Sequence, residues 1–152
     1  MAKNLFLLFT LDENRFAVTT DLITEIIPLV SLIEVPKTEP YVCGLFNYRG
    51  LTIPVIDMVT LLYNKTHHKK ICTRILIVSI EHDECTTRVG LIAEKVHKTE
   101  VFATEDIVEH ALSQKSGPYL GRTIKDKKGE IQIIDIKKLL PDEVKCTAIA
   151  RD

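Results

Sequence analysis

Five histidines and four cysteines are the residues of this chain best equipped to hold a metal or attack a substrate, and their spacing favours neither. His67 and His68 with Cys72, or His82 with Cys85, would offer imidazole and thiolate ligands. No third and fourth ligand follow at a spacing used by zinc sites, and adjacent histidines do not share a helix face. Cys43, Cys72, Cys85 and Cys146 form no CxxC pair, so buried, reduced thiols are expected. Asp57 and Asp135 have the chemistry of an acid–base pair, but each precedes a short apolar run, the position of a helix N-cap. The nucleophile signatures GxSxG and SxxK are absent, as are the phosphate loops GxGxxG and GxxxxGK[ST]. The expectation is a protein that is not an enzyme, with no catalytic residue, metal, cofactor or small-molecule substrate.

Charge narrows the partners. Twenty Lys and Arg against twenty-one Asp and Glu leave a formal net charge of −1, without the broad positive field of a nucleic-acid binder. Lys65 to Lys70 and the group Lys125, Lys127 and Lys128 are short, flank acidic residues and read as solvated loops, with a patch for an acidic partner as the alternative. One combination does carry recognition chemistry. In GLFNYRGLTIPVID, Gly44 and Gly50 bracket Asn47-Tyr48-Arg49 between two apolar strands, which sets a planar cation at or near a turn. The fixed fork of an arginine suits a carboxylate, and Glu25 is a candidate partner. A weak surface ion pair within the fold is the structural alternative.

The elements that must hold this arginine are legible through a repeat. Ile53 to Asp57 followed by Leu61-Leu62 matches Ile131 to Asp135 followed by Leu139-Leu140 at an offset of 78 residues, which Pro40-Tyr41 and Pro118-Tyr119 share. Gly44 and Gly50 find counterparts in Gly121 and Gly129, each displaced by one residue. Phe6 to Leu11 matches Ile75 to Ile80, and Leu22 to Glu25 matches Leu91 to Glu94, both at an offset of 69. Two copies of one β unit explain these matches, with a polar joint at Asn64 to Lys70. The chain of 152 residues is expected to be one domain, 1–152, with subdomains near 1–65 and 66–152 and an exchange of terminal segments allowed for.

Each copy opens with a hairpin, Leu5 to Leu11 with Arg15 to Val18 and Ile75 to Ile80 with Arg88 to Ile92. Further strands are expected at Glu25 to Leu29 and Glu94 to Val101. Glycine-bounded pairs follow at Val42 to Asn47 with Leu51 to Ile56, and at Leu120 to Ile124 with Glu130 to Ile134. Asp57 and Asp135 cap the short helices that close each copy, and Pro141 stops the second. Many short strands in a duplicated unit predict an all-β protein of two small barrels packed together, with a groove between them as a binding site. The apolar run from Leu5 to Leu11 is too short to span a membrane and no cleavage site follows it, so a cytoplasmic protein without direct membrane insertion is expected.

The segments LLFTLDENRFAV, LITEII, VPKTEPYVCGLFNYRGLTIPVIDMVTLL, RVGLIAEKV and GEIQIIDIKKLL, taken in order, resemble the CheW-like coupling proteins of bacterial chemotaxis from about Leu5 to Leu140. The resemblance implies two SH3-like five-stranded β-barrel subdomains. It also implies an adaptor that binds the regulatory domain of a chemotaxis histidine kinase and the cytoplasmic tip of chemoreceptors, recruited to membrane receptor arrays. By motif position, Arg49 is similar to the family's functional arginine and Glu25 to its acidic companion, while Ile23 and Gly44 occupy positions associated with receptor binding. Asn47 and Tyr48 complete the candidate protein-binding set. No kinase-contact residue is carried over. Tyr48 stands where an aliphatic residue is usual, and Phe46 adds a second aromatic; the two serve core packing or change which receptor is recognised, with strand alternation favouring core packing for Phe46. With about a dozen residues beyond Leu140, a stand-alone adaptor is expected rather than a fusion to a receiver or kinase domain. The alternative is a paralogue that binds only receptor or only kinase and limits array assembly.

Overall fold

The computed structural model describes residues 3–65, 73–82, 85–110 and 121–140. Along the chain run β1 (Lys3–Leu11), β2 (Asn14–Thr19), β3 (Ile23–Pro28), β4 (Val42–Tyr48), β5 (Leu51–Asp57), α1 (Met58–Tyr63), β6 (Arg74–His82), β7 (Cys85–Ala93), β8 (Lys95–Ala103), β9 (Ile107–Glu109), β10 (Arg122–Asp126), β11 (Gly129–Ile133) and α2 (Ile136–Leu139). Single 3-10 turns at Thr20–Leu22 and Thr104–Asp106 lead into β3 and β9.

Local chemistry accounts for these elements. In β1 the consecutive residues Phe6, Leu7, Leu8 and Phe9 are all buried, the continuous apolar run of a strand covered on both faces. Asp12 and Glu13 turn this strand into β2 with φ of 49° and 67°, the paired positive values of a tight type I′ hairpin. Asp57 Oδ1 accepts the Val59 N–H at 3.0 Å and Asp135 Oδ1 accepts the Lys138 N–H at 3.4 Å. Both aspartates are helix caps, as the sequence predicts.

The strands form two sheets. One has the order β8-β1-β2-β11-β10-β9, the other β3-β6-β7-β5-β4. They belong to two compact units: a terminal unit from the described residues of Met1–Asp21 and Val96–Leu140, and a central unit from those of Leu22–Lys95. The two sheets are the same sheet under the repeat. Ala17 of β2 pairs in parallel with Ile133 of β11, and Gly90 of β7 with Val55 of β5. Thr10 lies opposite Arg15 in the first hairpin as Ser79 lies opposite Arg88 in the second. The hairpin of the first copy therefore completes the sheet of the second copy, and the reverse. Compactness follows this exchange rather than a cut at 65/66.

Three details differ from the sequence reading. The terminal sheet has six strands rather than five because β9 adds a short ladder on β10; its counterpart on β4 is a single bridge, Ile33 to Leu45. The polar segment from Glu81 to Thr87 is not all turn, since pairing continues through Glu81 with Thr86 and His82 with Cys85. The match of Leu22–Glu25 with Leu91–Glu94 is one of composition only, because the first pair of motifs enters β3 while the second leaves β7.

Each unit has its own core. Phe6, Leu8, Ala17, Phe102, Ile124, Ile131 and Ile133 fill the terminal unit. Tyr48, Ile53, Val55, Ile75, Ile77 and Ile92 fill the central one, with Phe46 packed against them. At about 1.5–3 kcal/mol for each large apolar side chain removed from water, these clusters dominate the fold's stability.

Candidate functional site

The segment singled out by its arginine is the β4–β5 hairpin. Tyr48 pairs with Leu51 across a two-residue turn, Arg49-Gly50, whose φ values are 51° and 83°. Positive φ at both central residues is the type I′ pattern, which Asn-Gly satisfies at least cost; an arginine in the left-handed region gives up about 1 kcal/mol. Asn47 offsets part of this, its Oδ1 accepting the Gly50 N–H at 3.0 Å. The turn thus holds Arg49 at the end of a rigid ribbon.

Glu25 meets this tip from β3. Its Oε1 accepts the Tyr48 hydroxyl at 2.7 Å and Arg49 Nη2 at 2.9 Å. The Arg49 guanidinium also lies over the Tyr48 ring, 5.2 Å from its centroid. Tyr48 has a divided role: its ring is buried in the core while its hydroxyl organises the carboxylate. That hydrogen bond, and then burial, raise the phenol above its ordinary value of 10.0, against the opposing pull of the Arg49 and Arg88 cations. The Arg49 side chain keeps 72% of its surface exposed and Glu25 keeps 37%. Their ion pair orients the arginine more than it stabilises the fold.

The remaining candidates have separate places. A register shift in β3 sets Ile23 opposite Val78 and Glu25 opposite Ile77, so the two side chains leave opposite faces of the strand. Ile23 does not join the cluster. Gly44 is buried, with φ of 149°, and a Cβ there would stand 2.5 Å from the Ile33 carbonyl oxygen. It seats the Ile33 segment on β4, where Ile33 and Leu45 exchange backbone hydrogen bonds at 2.8 Å. A cleft of about 470 Å³ in the central unit, lined in part by Leu32, Cys43 and Asp57, includes none of Glu25, Tyr48 and Arg49.

Residues 5–144 match the model of the CheW-like domain. The chain belongs to the CheW-like domain family. A relative of this CheW-like chain, the chemotaxis protein CheW of Bacillus subtilis, is 25% identical over 149 residues, covering 94% of this chain and 90% of its own length. The crystal structure of the scaffolding protein TtCheW from Thermoanaerobacter tengcongensis superposes with a TM-score of 0.83 at 23% identity, over 98% of this chain and all of that one. That likeness gives the CheW-like fold of two SH3-like subdomains.

The described residues of this CheW-like chain hold no group of three His, Cys, Asp or Glu side chains able to bind a metal. His67, His68, Cys72 and Cys146 lie outside the described residues. No helix among the described residues is long and apolar enough to cross a membrane. Sequence reasoning missed a second arginine, Arg88, which lies near enough to Tyr48 to act on its phenol. The signal was present, since Arg15 and Arg88 occupy the same place in the two opening hairpins.

Proposed function

We propose that this CheW-like protein is a non-enzymatic adaptor that couples chemoreceptors to a chemotaxis histidine kinase, acting in the cytoplasm at membrane receptor arrays. Family membership supports the adaptor role, and two relatives are named as a chemotaxis protein and a scaffolding protein. The observation that carries the reading is Arg49, a largely exposed guanidinium fixed by Glu25 at the end of a tight hairpin. A preorganised fork of donors binds a carboxylate or carbonyl at lower entropic cost than a freely rotating one. Its left-handed backbone costs stability at a position where asparagine would not, as expected where a side chain is retained for recognition.

The test is co-purification with a receptor cytoplasmic fragment and a kinase regulatory domain, separately and together. Both should be retained at once, and Arg49→Ala should weaken at least one contact by ~1–3 kcal/mol while the thermal melt moves little. Retention of a single partner would identify a paralogue that limits assembly. Unchanged binding of both partners by Arg49→Ala would sink the role assigned to Arg49.

A further inference from the structure

The equivalence of the two sheets gives every residue at one tip a counterpart at the other. Arg15 and Arg88 correspond through their hairpin partners Thr10 and Ser79, and through the parallel pairs of Ala17 and Gly90. Asp126 and Tyr48 correspond as the last residues before the two-residue tip turns, opposite Gly129 and Leu51.

In the terminal unit this set is closed. Arg15 donates through Nη1 and Nη2 to the two oxygens of Asp126, the bidentate arrangement of a strong pair. In the central unit no carboxylate of the described residues takes that place, because Tyr48 occupies it and turns its hydroxyl to Glu25. Arg88 leaves β7 on the same face as Gly90, where a Cβ would meet Ile75 and Val55 at 2.9 and 3.2 Å, so its stem enters beside the core. Its Nε is buried and has no hydrogen-bond partner among the described residues. Buried donors are nearly always satisfied, so an unsatisfied one on a charged group needs an explanation.

We propose that Arg88 is a second arginine of the recognition surface at the β4–β5 tip, taking a carboxylate from a docked protein in the place that Asp126 fills for Arg15. The inference rests on the adaptor reading and names the chemistry of the partner's contact: an Asp or Glu side chain that approaches between Arg49 and Arg88. The buried Nε is out of a partner's reach, so the incoming carboxylate meets the Nη end of the guanidinium, as Asp126 meets that of Arg15.

The experiment measures affinity of the full chain for the receptor fragment and for the kinase regulatory domain, comparing Arg88→Ala and Arg88→Met with the unaltered protein. Methionine keeps the apolar stem, so core packing is preserved if alanine disturbs folding. Both variants should lose about tenfold or more for one partner, as expected when a charged pair is truncated at an interface. Alanine substitution of acidic residues on that partner should uncover one whose loss weakens the unaltered chain but not the Arg88 variants, a coupling that a merely structural arginine would not produce. Binding by Arg88→Met within twofold of the unaltered chain for both partners overturns the inference alone. Failure of the unaltered chain to bind either partner overturns the adaptor reading, and the inference with it.

Discussion

The tips of the two sheets have one architecture and opposite chemistry. In the terminal unit an arginine and an aspartate satisfy each other, with 31% and 22% of their side-chain surfaces exposed, and the Asp126 carboxyl is held well below its ordinary range. In the central unit a tyrosine stands in the aspartate's place, the neighbouring glutamate pairs with Arg49, and the Nε of Arg88 has no hydrogen-bond partner among the described residues. The turns differ in the same sense. Lys127 and Lys128 need no positive φ because the left-handed residue is Gly129, whereas Arg49 itself takes that conformation. A duplicated scaffold thus closes a charged cluster in one copy and leaves it open in the other, through the residue before a turn.

Four measurements break or sharpen this contrast. The largest effect is expected at Gly44, whose backbone supports the β4–β5 hairpin from within. Gly44→Val should cost about 3 kcal/mol or more, by collision with the Ile33 carbonyl and strain at φ of 149°. Gly50→Ala, in open space at the tip, should cost about 1 kcal/mol. Equal shifts in denaturation midpoint would remove the distinction between a seat and a turn.

Next is the closed pair. Asp126→Ala should lose about 1–2 kcal/mol, reduced from a fully buried pair by its partial exposure. Arg15 is the first cause of the lowered Asp126 carboxyl, which falls from 3.8 to about 2. Between these values the unfolded chain binds the proton and the folded one does not, so acid favours unfolding there. The advantage of the unaltered protein over Asp126→Asn should be complete above about pH 4 and fade as pH falls towards 2, read from urea melts.

Tyr48→Phe should cost about 1 kcal/mol by leaving Glu25 one donor short. For this group the folded state holds its proton more tightly than the unfolded one. Its contribution is therefore present at neutral pH and is lost as pH rises beyond 10.0 and through the raised folded value; a phenolate titration should show Tyr48 ionising above 10.0. The smallest stability change is expected for Arg49→Asn, within about 0.5 kcal/mol of the unaltered chain, because relief at the left-handed position offsets the lost ion pair. Partner binding should fall all the same. A large drop in stability there would mean that Arg49 serves the fold.

The all-β class, the hairpins, the helix caps and the arginine turn were legible because each is written in residues close in sequence. Asp57 and Asp135 before apolar runs, and glycines beside apolar strands, are local signals. The partnership of Glu25 with Arg49 was legible only as a candidate, and the hydroxyl that Tyr48 contributes was not, since it depends on β3 meeting β4 around the core. Ile23 and Gly44 share motifs with the cluster but not its surface, because a register shift turns one away and a close backbone contact buries the other. The one-residue displacement between Gly50 and Gly129 follows from different turn types, which residue matching does not reveal. Arg88 was hidden by the exchange of hairpins, which carries it into the sheet of the other copy.

That exchange also sets a timetable for synthesis. The β1–β2 hairpin leaves the ribosome about 75 residues before Val96, where the segment it folds against begins. At roughly 5–20 residues per second, it waits on the order of 4–15 s with Phe6, Leu8 and Ala17 uncovered. The described residues of the central unit, within Leu22–Lys95, are encoded between the two parts of the other and can close first. The newborn chain therefore carries an orphaned apolar ribbon behind which a finished module assembles, and its yield in the cell should depend on what shields that ribbon until the last strands emerge.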